Sequence, residues 1–227
     1  MKLVLLHSPL TGPLTWQKVA PLLRAMGHDV CVPDYRAVLA GPAPYYDRIV
    51  QDIARQAGQS SILIVHSGAG ALVPALAVPL RLNAAIFVDA LLPHPGRAWF
   101  DTVPADMKAK LLGRARDGKL PQWSAWWPQG AIAAMIGDAD LYDDFERALN
   151  AVPLAYLQEK APPADLPVSL ACGYLQLSVG YDAEATMAER QGWPTRRLAL
   201  HHLAAMTDCE TVAGALGGLM NAGPAAR

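Results

Sequence analysis

The stretch Ser61–Leu72, SILIVHSGAGAL, decides how this chain is read. After the polar pair Ser60-Ser61 come four apolar residues, Ile62 to Val65, which form the pattern of a short buried strand. His66-Ser67-Gly68-Ala69-Gly70-Ala71 then interrupt the apolar run with small residues, and Leu72-Val73 resume it as a helix. A serine at such a corner is lifted out of the sheet, where a substrate can reach its hydroxyl. Gly68 and Gly70 relieve contacts that larger side chains would make in a crowded turn. The helix N-terminus behind Ser67 supplies amides and a positive potential for a developing oxyanion. The plainer alternative is a strand-to-helix turn whose serine caps the helix.

Upstream, Lys2–His7 and His28–Pro33 have strand character, and downstream so does Ala84–Asp89. Leu14–Met26 carries Val19, Leu22, Leu23 and Met26 at helical recurrence, with Pro21 placed in a first turn or at a kink. Asp34–Pro44 is too rich in Pro, Gly and Ala for more than a loop, Tyr45–Gly58 is a helix, and Leu72–Val78 continues the helix behind Ser67 with Pro74 in its first turn. Strands alternating with helices predict an α/β fold: a doubly wound, mostly parallel sheet of about six strands flanked by helices. Such sheets place their sites at the carboxyl ends of strands, where His7-Ser8, Ser67 and Asp89 all fall.

Between Leu91 and Pro167 the alternation lapses. The segment is too long for a bare loop, which predicts an inserted helical lid, with Met107–Leu112 and Leu141–Leu149 as its best helices. It holds Trp99, Trp123, Trp126 and Trp127, whose rings suit a pocket for a hydrophobic substrate, with Trp126 and Trp127 as candidate contacts. The same rings suit a lid core or the contact of a homodimer. Beyond the lid, Val168–Leu177 and Thr195–Leu200 are strands and Ala183–Gln191 a helix. Thr207 and Glu210 are spaced as a capping box for the terminal helix, and Asn221–Arg227 is a frayed tail. The expectation is one domain over 1–227 with the lid, 91–167, inside it.

Nineteen basic against twenty acidic side chains, without a basic stripe, argue against a nucleic-acid partner. No apolar run approaches the ~18 residues of a membrane span, and no secretory signal is visible, so a cytoplasmic location is the default. Cys31, Cys172 and Cys209 are odd in number and widely spaced, which fits neither a disulfide framework nor a CxxC metal motif.

If Ser67 is a nucleophile it needs a base, and His201 and His202 are the candidates late in the chain. The order of these features resembles the α/β-hydrolase family: a histidine-led loop after the first strand, a serine at an elbow, an inserted lid, an acid and a late histidine. His7-Ser8 through Trp16, His66-Ser67-Gly68 and His202-Leu203 are similar to compact esterase and hydroxynitrile-lyase-like members. The resemblance implies Ser67 as nucleophile, His202 as base, and Ser8, Gly68 and His66 around the oxyanion or substrate. It also implies hydrolysis of an ester or thioester of a hydrophobic small molecule through an acyl-enzyme, with no metal or other cofactor.

The chain departs from the family at three places. The elbow reads Val65-His66-Ser67-Gly68-Ala69, so both outer glycines of G-x-S-x-G are replaced. Pro9 occupies the position whose backbone amide normally serves the oxyanion, and proline has no hydrogen to donate. Loss of one such donor costs about 3 to 4 kcal/mol. The family's acid position falls near Tyr181, so Asp182 beside it is the expected acid, with Asp89 as its rival. Two alternatives stand beside hydrolysis. One is a lyase, dehydratase or cyclase in which His202 moves a proton without acylation; the other is a binding or interaction protein without turnover.

Overall fold

Hydrophobic strands that are buried on both faces have no polar side to offer solvent, and the four inner strands of this chain's sheet are of that kind. In the computed structural model, which describes residues 1–221, eight strands run β1 Lys2–Leu6, β2 Asp29–Cys31, β3 Ile62–His66, β4 Ala84–Val88, β5 Lys119–Leu120, β6 Val152–Pro153, β7 Ala171–Gln176 and β8 Thr195–Arg197. Six of them form one sheet in the order β2-β1-β3-β4-β7-β8, with every neighbouring pair parallel. Val4, Leu6, Leu63, Val65, Phe87 and Tyr174 face one side of it. Leu3, Leu5, Ile62, Ile64, Ile86 and Leu175 face the other. This is the doubly wound sheet that the alternating pattern predicts.

The helices among the described residues are α1 Val19–Ala25, α2 Arg36–Leu39, α3 Tyr46–Ala57, α4 Val73–Ala77, α5 Ala105–Arg114, α6 Ala131–Ile136, α7 Ala139–Ala148, α8 Leu154–Gln158, α9 Asp182–Arg190, α10 Ala204–Thr207 and α11 Cys209–Asn221. Val19 and Leu23 of α1 pack with Val212 and Leu216 of α11 on one face of the sheet. Ile49 and Ile53 of α3, Leu76 of α4 and Ala185 of α9 cover the other.

Several boundaries differ from the sequence expectation. Leu14–Met26 is split into a 3-10 turn, Pro13–Trp16, and α1, which leaves Pro21 in the first turn of α1. The loop Asp34–Pro44 contains α2, started where Asp34 accepts the Arg36 amide at 3.1 Å and grips its guanidinium. The last strand stops at Arg197. The strand expected from Val168 begins at Ala171, because a turn closed by Leu170 N–H on the Pro167 carbonyl precedes it. The capping box is not formed: Thr207 belongs to α10, and its hydroxyl bonds Asp208 and His201. Most of the tail Asn221–Arg227 lies outside the described residues.

The segment between β4 and β7 holds α5 to α8 and the antiparallel ribbon of β5 with β6. Leu111, Trp123, Trp126, Phe145 and Tyr156 pack it continuously with the α3 side of the sheet. One clasp is polar. Glu159 reaches from this segment to the start of α3, where its carboxylate accepts the Tyr45 amide at 2.8 Å and the Tyr46 amide at 2.8 Å. A helix start leaves such amides unpaired and carries a positive potential, so this carboxylate caps α3 from a distant part of the chain. Glu159→Ala should lower unfolding stability by about 1 to 2 kcal/mol, read as an earlier denaturant midpoint. An unchanged midpoint would mean that water replaces the cap without cost.

The topology also gathers the site. Paired register aligns His66 with Val88 and Val88 with Leu175, so β3, β4 and β7 end together. The chain reverses its direction of winding between β1 and β3, the kind of crevice where open α/β sheets bind ligands.

Candidate active site

Ser67 follows β3 directly and adopts φ +57°, a left-handed conformation that is costly for a non-glycine residue. The chain leaves it in a 3-10 turn, Ser67–Leu72, before α4 begins, so the elbow is real although the helix behind it starts later than expected. Pro74 sits in the first turn of α4. The two glycines of the elbow have different reasons. A Cβ on Gly70 would lie 1.8 Å from the Leu91 carbonyl oxygen, whereas one on Gly68 would meet nothing nearer than Pro9 Cδ at 3.6 Å. Only Gly70 is required by space. Leu91 N–H in turn donates to the Ser67 carbonyl at 3.1 Å, so the elbow is tied to the chain that leaves β4.

That neighbouring chain carries Asp89, which is fully buried and held at φ +43°. Its Oδ1 accepts the amides of Leu177 and Ser178 at 2.8 and 2.9 Å, and its Oδ2 accepts the Ser178 hydroxyl at 2.6 Å and His202 Nδ1–H at 2.8 Å. Burial pushes this carboxyl up, but the bonds from His202, Ser178 and Leu177 outweigh it and hold it below the usual carboxylate range. A carboxylate on Nδ1–H fixes the imidazole tautomer and leaves Nε2 as the basic nitrogen. Tyr174 steadies the same turn: its hydroxyl donates to the Ala90 carbonyl at 2.8 Å and accepts the Ala90 amide at 3.1 Å.

Asp182 is placed elsewhere. It is the first residue of α9, its side chain 63% exposed, and it pairs with Arg197 at 3.2 Å and with Gln176. The residue beside it does reach the centre. Tyr181 stacks on His202 with ring centroids 5.1 Å apart and planes 6° from parallel, and its hydroxyl lies 3.3 Å from Ser67 Oγ. Sequence reasoning assigned Tyr181 no role. The signal was its position, which is where the resemblance expects an acid. Among the described residues Ser67 Oγ is hydrogen-bonded to Tyr181 rather than to His202; nucleophile–base contacts often tighten only when substrate is bound.

His66 and His7, both fully buried, precede Ser67 and Ser8 in the chain. His66 Nε2–H donates to the His202 carbonyl at 2.9 Å, and the two rings lie 4.5 Å apart. Its burial drives its pKa down to about 3, with the nearby His202 in the same direction, so it stays neutral. His7 is fully buried, donates from Nδ1 to the Ser8 carbonyl at 2.7 Å and stacks on Tyr35; burial lowers its pKa to about 4. Both histidines are therefore neutral at pH 7, each donating to a backbone carbonyl. Ser8 Oγ accepts the Leu10 amide at 3.2 Å and faces Gly68 across the turn.

The tryptophans are distributed differently from the expectation. Trp123 approaches His202, with ring centroids 5.9 Å apart. Trp126 packs against Trp99 and donates its indole N–H to the Pro121 carbonyl at 2.9 Å. Trp127 is 41% exposed and lies edge-on to Trp123. A cavity of about 610 Å³ is lined by Pro9, Leu10, Asp34, Arg36, Leu149 and Val152 among others, and neither Ser67 nor His202 borders it. No group of three His, Cys, Asp or Glu side chains among the described residues is arranged to hold a metal ion. No described helix is long and apolar enough to cross a membrane.

No family model matches the chain. Part of it is similar to methyl jasmonate esterase 1 of Vitis vinifera, 28% identical over 50% of this chain and 48% of the relative. Part is similar to a pyrethroid hydrolase of Sphingobium wenxiniae, 33% identical over 41% of this chain and 37% of the relative. The matches thus span about half or less of these relatives' length. Among solved structures, an extracellular α/β-hydrolase from a Paenibacillus species superposes with a TM-score of 0.75 at 19% identity, covering 96% of this chain and 98% of that one. The chain has the α/β-hydrolase fold.

Proposed function

We propose that this chain is a serine hydrolase of small hydrophobic esters, working through an acyl-enzyme on Ser67. The observation that carries the reading is the buried Asp89–His202 bond at 2.8 Å beside a serine held at positive φ on the strand-to-helix elbow. Asp89 orients the imidazole, His202 Nε2 takes the Ser67 proton as Oγ adds to the carbonyl carbon, and the Gly68 amide faces the developing oxyanion. His202 then gives the proton to the leaving alkoxide, and a water repeats the sequence to release the acid. Thioesters fit the same steps.

Asp182 is not part of this machinery, and Asp89 takes the acid's place. The segment 91–167 serves as the lid, with Trp123 covering His202 and offering an apolar wall to the substrate. The relatives' names, methyl jasmonate esterase and pyrethroid hydrolase, point to esters with bulky apolar parts, and the aromatic lid suits that class.

Intact-protein mass spectrometry after treatment with a fluorophosphonate tests the reading. The parent should gain one adduct, at Ser67, while Ser67→Ala should gain none and His202→Ala should label slowly. A folded parent that stays unlabelled would remove acylation chemistry. Pro9, with no amide to donate, favours a second reading in which His202 transfers a proton and Ser67 only binds. Substrate conversion that survives Ser67→Ala but is lost in His202→Ala would select it.

A further inference from the structure

We propose that Tyr181 is a catalytic residue whose hydroxyl donates a hydrogen bond to the carbonyl oxygen of the bound ester, replacing the donor that Pro9 lacks. The inference rests on the hydrolase reading above and extends it.

An acyl-transfer site needs two donors at the oxygen that becomes negative, and the first loop supplies none at position 9. The next amide along that loop, of Leu10, is turned onto Ser8 Oγ at 3.2 Å. The hydroxyl that does reach the nucleophile is that of Tyr181, 3.3 Å from Ser67 Oγ. When Oγ bonds to an ester carbon, the carbonyl oxygen stands immediately beside Oγ, so this hydroxyl needs no large movement to meet it. The parallel stack on His202 fixes the phenol ring, and Asp89 fixes His202. The donor is therefore positioned before substrate arrives, the condition under which such bonds accelerate a reaction. Burial, against the bond to Ser67, holds the phenol well above its ordinary pKa, so it keeps its proton at neutral pH and acts as a donor.

The position of the acid gives an independent reason. Where the resemblance expects a carboxylate near Tyr181, the carboxylate comes from the end of β4 instead, as Asp89. With that task filled elsewhere, position 181 is free to carry a neutral donor. In the step itself Tyr181 transfers nothing. Ser67 Oγ bonds to the carbonyl carbon, its proton passes to His202, the C=O π pair moves onto oxygen, and the phenol O–H donates to that oxygen until it collapses and expels the alcohol.

Tyr181→Phe keeps the ring and removes the hydroxyl. With p-nitrophenyl butyrate as probe, kcat should fall by about 10²- to 10³-fold while KM changes by about threefold or less. Inhibition by a trifluoromethyl ketone, whose adduct carries the same oxyanion, should weaken in parallel. Replacement of Tyr181 by 3,5-difluorotyrosine, which keeps the shape and acidifies the phenol, should move the alkaline limb of the kcat–pH profile to lower pH. That readout serves even if Tyr181→Phe misfolds, and a purely structural ring would not move it. A Tyr181→Phe enzyme with parental or faster turnover, or a difluorotyrosine enzyme with an unmoved profile, would overturn the proposal while leaving fluorophosphonate labelling of Ser67 and the hydrolase reading intact. A parent that neither labels nor hydrolyses would overturn both.

Discussion

Asp89→Asn is expected to lower kcat by about 10⁴-fold, with the fold unchanged by circular dichroism. The size follows from which oxygen does what. Oδ1 accepts two backbone amides, of Leu177 and Ser178, so an asparagine would be held with its carbonyl oxygen there. Its NH₂ would then point at His202 Nδ1. A donor facing Nδ1 forces the imidazole into the tautomer with its proton on Nε2, and Nε2 is no longer a base. Asp182→Asn is the control. That side chain is exposed and paired with Arg197, an arrangement that contributes little, so its activity should stay close to the parent's. The comparison is a kcat/KM measurement on p-nitrophenyl butyrate with both variants. A large loss in Asp182→Asn with little loss in Asp89→Asn would exclude the Asp89–His202 pair as the working dyad.

The sheet was legible because its signals are local. Ile62–Val65 and Ala84–Val88 are apolar runs of strand length, and burial on both faces is what a parallel sheet requires of them. Ser67 and His202, the candidate nucleophile and base, were read from the family's order of features. The carboxylate that pairs with His202 was not, because a carboxylate's partner depends on how two loops cross. Asp89 and Asp182 both follow strands, and only the pairing of β4 with β7 puts the Asp89 side chain among the Leu177 amide, the Ser178 amide and His202. Asp182 instead starts a helix, and α9 turns it toward Arg197. The tryptophans were unreadable for a similar reason. Trp123, Trp126 and Trp127 lie within one short stretch, and its 3-10 turn sends them in three directions, to His202, to Trp99 and to solvent. Composition can state that a lid is aromatic, but not which ring meets the imidazole.

Gly70 carries the other large expected effect. A Cβ there would stand 1.8 Å from the Leu91 carbonyl oxygen and 3.0 Å from its carbonyl carbon, both backbone atoms that cannot rotate away. Gly70→Ala must therefore separate the elbow from the chain leaving β4. The same chain donates the Leu91 amide to the Ser67 carbonyl and, two residues earlier, carries Asp89. The clash is thus applied to the junction that sets Ser67 against Asp89. Overpacking of this kind costs about 1 to 3 kcal/mol and occasionally more, and with backbone on both sides of the contact the upper end is expected. Labelling of Ser67 by fluorophosphonate should fall with it in whatever protein remains folded. Gly68→Ala separates space from sequence motif, since its added methyl would find Pro9 Cδ at 3.6 Å, an ordinary contact, and should cost much less stability. Denaturant midpoints of the two variants decide the matter: equal losses would mean that the elbow needs glycine for backbone freedom at both positions, and a loss confined to Gly70→Ala would trace the requirement to the single close approach between the two loops that build the site.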